Sequence, residues 1–208
     1  MKKFSAIFLV TMIFGLGVAK GSNDSTRTIT IHFLYGSQPG PGQKGKEQPA
    51  FGGIHGGHVL LQLNDSEIFS FYPSGEGFHL FADNVHKHGE YILEPLNDWA
   101  GDTATKKYTS ITFPITDSQY VQLMKIKQVY LAQRPYDYAF FGMRCAAAAY
   151  DVLSQLRICK PYSGFHNVMA NFYPKPLRQR LLKYATQHHL KVTGHSGRST
   201  RIWERDGL

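Results

Sequence analysis

Cysteine is scarce: two thiols, Cys145 and Cys159, in 208 residues. That excludes a disulfide framework and any structural zinc site built on paired cysteines. A His-Glu-x-x-His helix is missing as well, so the histidine pairs His55 with His58 and His86 with His88 are weak zinc candidates and no metal or cofactor is expected. There is no zinc-finger, helix-turn-helix or aromatic-interleaved basic motif, which argues against a nucleic-acid partner. No internal repeat is present, and no low-complexity tract beyond one Gly/Pro-rich stretch at 36–49. The N-terminal apolar run at 4–18 is too short and too lightly flanked for a transmembrane span.

That run reads instead as a secretory signal. Lys2 and Lys3 precede it, and small residues at Gly17 and Ala19, or at Ala19 and Gly21, offer a cleavage point. Residues 1–19 are therefore expected to be a signal peptide and 20–208 one domain, exported to the periplasm or beyond. The formal charge is +8, and it is unevenly placed. Residues 160–208 hold nine Lys and Arg against Glu204 and Asp206, whereas the section before them is close to neutral. A basic C-terminal section suits an anionic wall polymer or a phospholipid. The oligomeric state is not legible.

In chain order, 28–33 alternates as a first strand. The Gly/Pro-rich stretch 36–49 reads as an exposed loop without a core of its own, either bordering a groove or serving no role. Residues 58–63 and 67–72 read as a hairpin. Val59, Leu61 and Leu63 share one face of its first arm, with His58, Leu60 and Gln62 on the other. A short strand at 78–81, a strand at 91–93, Trp99 in a loop and a strand at 108–115 follow. A helix is expected from the Thr116–Ser118 caps to about Gln133, burying Val121, Met124 and Leu131. A further helix opens at Pro174 with Leu177, Leu181 and Ala185 on one side. Arg178, Arg180 and Lys183 lie on others, as a solvated face, and 197–206 reads as a closing strand.

The chemistry is expected around 135–155. Pro135 and Gly142 bracket an aromatic segment, and from Arg144 onward four alanines followed by Tyr150, Val152, Leu153 and Leu156 read as a buried helix. Cys145 then sits in its first turn, where unpaired N–H groups and the helix dipole favour a thiolate. A bridge to Cys159 is the plain reading in an exported protein. The intervening helix, however, holds the two positions farther apart than the roughly 7 Å limit for bridged Cα atoms, which favours two free thiols.

A nucleophilic thiol needs a base and a group to orient it. His58 opens a strand behind a run of glycines that permit another segment to approach closely. Ser70, on the returning arm, is the first choice as orienting residue. Gln62 is the second, and with Tyr136 it is a candidate for substrate contact. Against each stands a structural alternative: Cys145 as a small packing residue, His58 as an ordinary strand histidine, Tyr136 and Tyr138 as core aromatics.

Pro135-Tyr136 with the later Gly142 and Cys145, and the Gly57-His58-Val59 strand with its second arm near Ser70, resemble the nucleophile and histidine motifs of NlpC-type cell-wall peptidases. In that family the cysteine comes first; here His58 does, as in the circularly permuted branch of the papain-like superfamily. The resemblance covers 55–72 and 135–156. It implies an α+β, papain-like (circularly permuted NlpC-type) fold, with an antiparallel sheet packed against a Cys-bearing helix. It also implies Cys145 as nucleophile, His58 as base and Tyr136 near the oxyanion. The expected function is an exported cysteine-nucleophile hydrolase acting on an amide or ester, a cell-wall peptide first and a lipid acyl group second, without a cofactor. The alternative is a catalytically idle member that binds wall glycopeptide or lipid.

Overall fold

The alternation along 27–35 produces a strand whose Ile29, Ile31 and Phe33 are fully buried, and the sheet grows outward from it. A computed structural model describes residues 27–47, 53–75, 79–83 and 88–205. The expected signal peptide and the positions Phe78 and His86 lie outside them.

The protein is α+β, with a six-stranded antiparallel sheet and five helices among the described residues. The strands are β1 (Arg27–Tyr35), β3 (Gly57–Leu63), β4 (Glu67–Pro73), β5 (Gly89–Pro95), β6 (Lys107–Ile115) and β7 (Lys191–Ser196). They lie in the order β5-β4-β3-β1-β6-β7. The segments β2 (Ser37–Pro39) and β8 (Arg201–Trp203) pair as a separate two-stranded ribbon. The helices are α1 (Leu96–Thr103), α2 (Asp117–Ala132), α3 (Cys145–Gln155), α4 (Gly164–Ala170) and α5 (Pro174–Gln187).

Strand parity gives the sheet two unlike faces. On one, Ile29, Ile31, Phe33, Val59, Leu61, Leu63, Phe69 and Phe71 meet α3 in the main core. The alanines at 146–149 are all buried, and their small side chains let α3 lie close on β3 and β4. On the other face Leu60 and Ile68 pack with Trp99 of α1. That face also carries buried polar groups, His32, Ser70 and Ser110 among them.

Several expectations are corrected. Trp99 lies in a helix, not a loop, and is buried on the sheet. Residues 79–81 form no strand. In α2, capped by the Thr116–Gln119 capping box, the buried residues are Leu123 and Ile126, while Val121 and Leu131 face solvent; the sheet meets that helix about one residue further round than the apolar count suggests. The stretch after Gly36 contributes β2, with Ser37 buried, because the C-terminal tail returns to pair with it. Arg178 is fully buried rather than solvated, 3.1 Å from Glu204 and stacked 3.8 Å from the Tyr35 ring centroid. Its burial is possible because tail and ring together supply a counter-charge and a π-face.

Candidate functional site

Cys145 is the first residue of α3, after an extended Arg144 that offers no side-chain cap. Its backbone N–H is therefore one of the donors that have no partner within the helix. The thiol is buried, and burial pushes it above the ordinary cysteine range. The Val59 N–H, the Arg144 charge, the Ala146 N–H and the Tyr138 hydroxyl pull the other way without prevailing. The thiolate expected from helix position alone is thus outweighed by desolvation, and the resting sulfur is a neutral thiol. Cys145 and Cys159 are both free.

His58 stands where the sheet divides. β3 pairs with β4 only over Leu61–Leu63 against Glu67–Phe69, while β4 continues beside β5 as far as Pro73. Residues 57–60 therefore have β1 on one side and an opening on the other. The Cys145 sulfur reaches into that opening from the helix face, toward the Val59 amide, one peptide along from His58. The His58 Nε2 is 2.7 Å from Ser70 Oγ, and its ring stacks on Tyr72 at 4.4 Å. Among the described residues no hydrogen bond joins the thiol to the imidazole. Burial, with a smaller contribution from the Lys106 charge, lowers the His58 pKa to about 4. Gly57 is required just before it: φ is +102° and a Cβ would lie 2.3 Å from the Leu34 carbonyl oxygen, so only glycine lets β1 and β3 close here.

The other expected site residues separate into two groups. Ser70 is with His58. Gln62 is not: its Oε1 accepts from His32 Nε2 at 3.0 Å, and its amide donates to the Asn64 carbonyl. Tyr136 is also engaged elsewhere, donating to Asp151 of α3 and sharing a 2.8 Å hydrogen bond with Tyr130. Its neighbour Tyr138 is the tyrosine beside the sulfur.

A cavity of about 540 Å³ opens over His58, Tyr72 and Tyr138. Its far wall is the β2–β8 ribbon, through Ser37, Arg201 and Trp203. The Arg201 Nη1 is 2.6 Å from Glu47, another wall residue. Lys106 and Arg198 add positive charge beyond that pair. The ribbon could not be found in the sequence, because β2 and β8 are three residues each and lie at opposite ends of the chain.

A second polar cluster lies on the approach to α3. His79, His88 and Asp137 bring one ligand atom each within 4.8 Å of one another. His55 is exposed in a short 3-10 helix and belongs to no such group. Of the histidines paired in the sequence, His88 takes part; His55 and His58 do not join it among the described residues, and His86 lies outside them. The partners of His88 come from the far side of a long loop and from the Tyr136–Tyr138 segment, a juxtaposition no spacing rule reveals.

No family model, no curated protein and no solved structure matches the chain.

Proposed function

We propose that the protein is an exported thiol hydrolase of permuted papain-like fold that cleaves an amide or ester through an acyl-thioester at Cys145. The observation that carries this reading is the split between β3 and β4, where the sulfur from the helix face meets the backbone beside an imidazole already fixed by Ser70. With Nε2–H donating to Ser70, the His58 Nδ1 lone pair remains to take the thiol proton. The sulfur then attacks the substrate carbonyl, and the amide of Cys145 and the Tyr138 hydroxyl face the developing oxyanion. The imidazolium returns its proton to the leaving amine or alcohol, and water admitted from the cavity releases the acid. The excess positive charge around the cavity suits a substrate bearing carboxylates, which favours an anionic wall peptide over a neutral lipid ester.

The test is turnover of purified wall fragments and acyl esters by the wild type and by Cys145→Ala. Loss in the variant is expected; equal turnover in both removes the mechanism. A second reading, binding without catalysis, is favoured by one observation: the Cys145 thiol is buried, is not among the residues lining the cavity, and makes no hydrogen bond to the imidazole among the described residues. Iodoacetamide labelling at neutral pH separates the two, because substrate-like ligands that open the site should accelerate alkylation of a catalytic thiol. Labelling that stays slow with every ligand supports the binding reading.

A further inference from the structure

We propose that His79, His88 and Asp137 form a binding site for a borderline divalent cation of the zinc class, which would pin the loop after β4 to the segment entering α3. The Nδ1 atoms of His79 and His88 are both enclosed and neither has a hydrogen-bond partner. The His79 Nδ1 lies 3.2 Å from Asp137 Oδ2, in poor alignment for a hydrogen bond. That spacing is close to the edge of a zinc tetrahedron, about 3.3 Å for bonds of roughly 2.0–2.1 Å.

The carboxylate is prepared for a ligand. Asp137 is buried; its Oδ1 accepts from the His88 N–H at 2.9 Å and its Oδ2 from the Asp83 N–H at 3.0 Å. Each oxygen keeps a second lone pair, and backbone donors holding a ligating carboxylate are the outer-shell support such sites use. The carboxylate faces two imidazoles, with no Lys or Arg among its described partners.

The two rings stack with centroids 3.8 Å apart, and one ligand atom from each lies with a carboxylate oxygen inside a 4.8 Å cluster, close enough to share a single cation. The rings are nearly parallel, 23° apart, so one must turn about its Cβ–Cγ bond for the lone pairs to converge. That torsion has a broad minimum. Imidazole nitrogen selects zinc, cobalt or nickel over magnesium and calcium, and the Asp83 carboxylate, 3.9 Å from His88 Nε2, sits nearby on the same loop. Any proton held on His79 or His88 Nδ1 is released as the metal binds.

The experiment uses the full chain, stripped with chelator, titrated with Zn²⁺ by calorimetry and with Co²⁺ by visible absorption. One equivalent should bind and give tetrahedral cobalt bands. His79→Gln and His88→Gln, each shown folded by circular dichroism, should weaken binding at least about tenfold, the effect that even outer-shell changes produce. Cys145→Ala should bind as the wild type does. No saturable binding, affinity unchanged in both histidine variants, or binding lost in Cys145→Ala would overturn the site; the last outcome would move the metal to the thiol.

Discussion

Two histidines on the same face of the sheet have nearly the same electrostatics and differ in what their second nitrogen does. His32 and His58 are each lowered to about 4, mainly by burial. Each is 2.7 Å from a serine oxygen and lies 4.4 Å from an aromatic ring, Trp99 or Tyr72. His32 is closed on both sides, with Nδ1 on Ser110 and Nε2 on Gln62, and it does not line the cavity that His58 borders. His58 uses Nε2 on Ser70 and stands on the cavity wall at the strand split. A shifted pKa therefore does not distinguish a site from a satisfied core histidine. What sets His58 apart is its place on the cavity wall, with one ring nitrogen held by Ser70 and the Cys145 sulfur against the amide of the next residue.

The comparison is broken most directly by exchanging the two roles. His58→Gln should lower kcat/KM by about 10²–10⁴, or roughly 3–5 kcal/mol of transition-state stabilisation, and cost about 1 kcal/mol of stability through the lost Ser70 hydrogen bond. His32→Gln should leave kcat/KM within a few-fold of the wild type and lower stability more, because Ser110 and Gln62 both lose their shared partner. Equal losses of turnover in the two variants would mean that His58 acts only through the fold.

The next effect belongs to both rings and is read from pH. A histidine whose folded pKa lies below its unfolded value of 6.5 refuses protons that the unfolded chain accepts. Its contribution is complete above pH 6.5 and is lost as the pH falls through about 4. For His32, which is only 5% exposed, the loss approaches about 3 kcal/mol. For His58, which opens on the cavity, solvent screening makes it smaller. Urea midpoints taken from pH 7 to pH 4.5 should therefore fall. The fall should be shallower in His32→Gln than in His58→Gln, and a flat wild-type profile would contradict the burial assigned to both rings.

The hairpin, the helix behind Cys145 and the parity of His58 were legible because they rest on local rules: alternation, alanine content, and glycine before a tight crossing. Ser70 could be placed for the same reason, since a hairpin fixes which residues share a face. What could not be read depends on distant segments meeting. Gln62 shares the parity of His58, and only β1 crossing between β3 and β6 gives it His32 instead. Tyr136 and Tyr138 alternate along one segment, and the Asp151 carboxylate on α3 decides which of them leaves the cavity. The burial of Arg178 required the tail to return with Glu204. Thiolate character was misread for a related reason: a dipole is visible in sequence, whereas the solvent that a helix loses on packing is not.

The smallest effect sharpens the comparison at the serines. Ser70 and Ser110 each hold one ring nitrogen, but in the proposed mechanism only the imidazole on Ser70 also moves a proton. Ser70→Ala should cost about 1 kcal/mol of stability, and so should Ser110→Ala. Only the first should also lower kcat, by about tenfold with KM unchanged, because the ring is then free to turn its Nδ1 away from the sulfur. Ser70→Thr keeps a hydroxyl at the same atom and should restore most of the lost rate. If Ser70→Ala lowers stability but leaves kcat and its pH profile as they were, Ser70 packs against His58 in the way Ser110 packs against His32, and the imidazole is oriented by the Tyr72 stack instead.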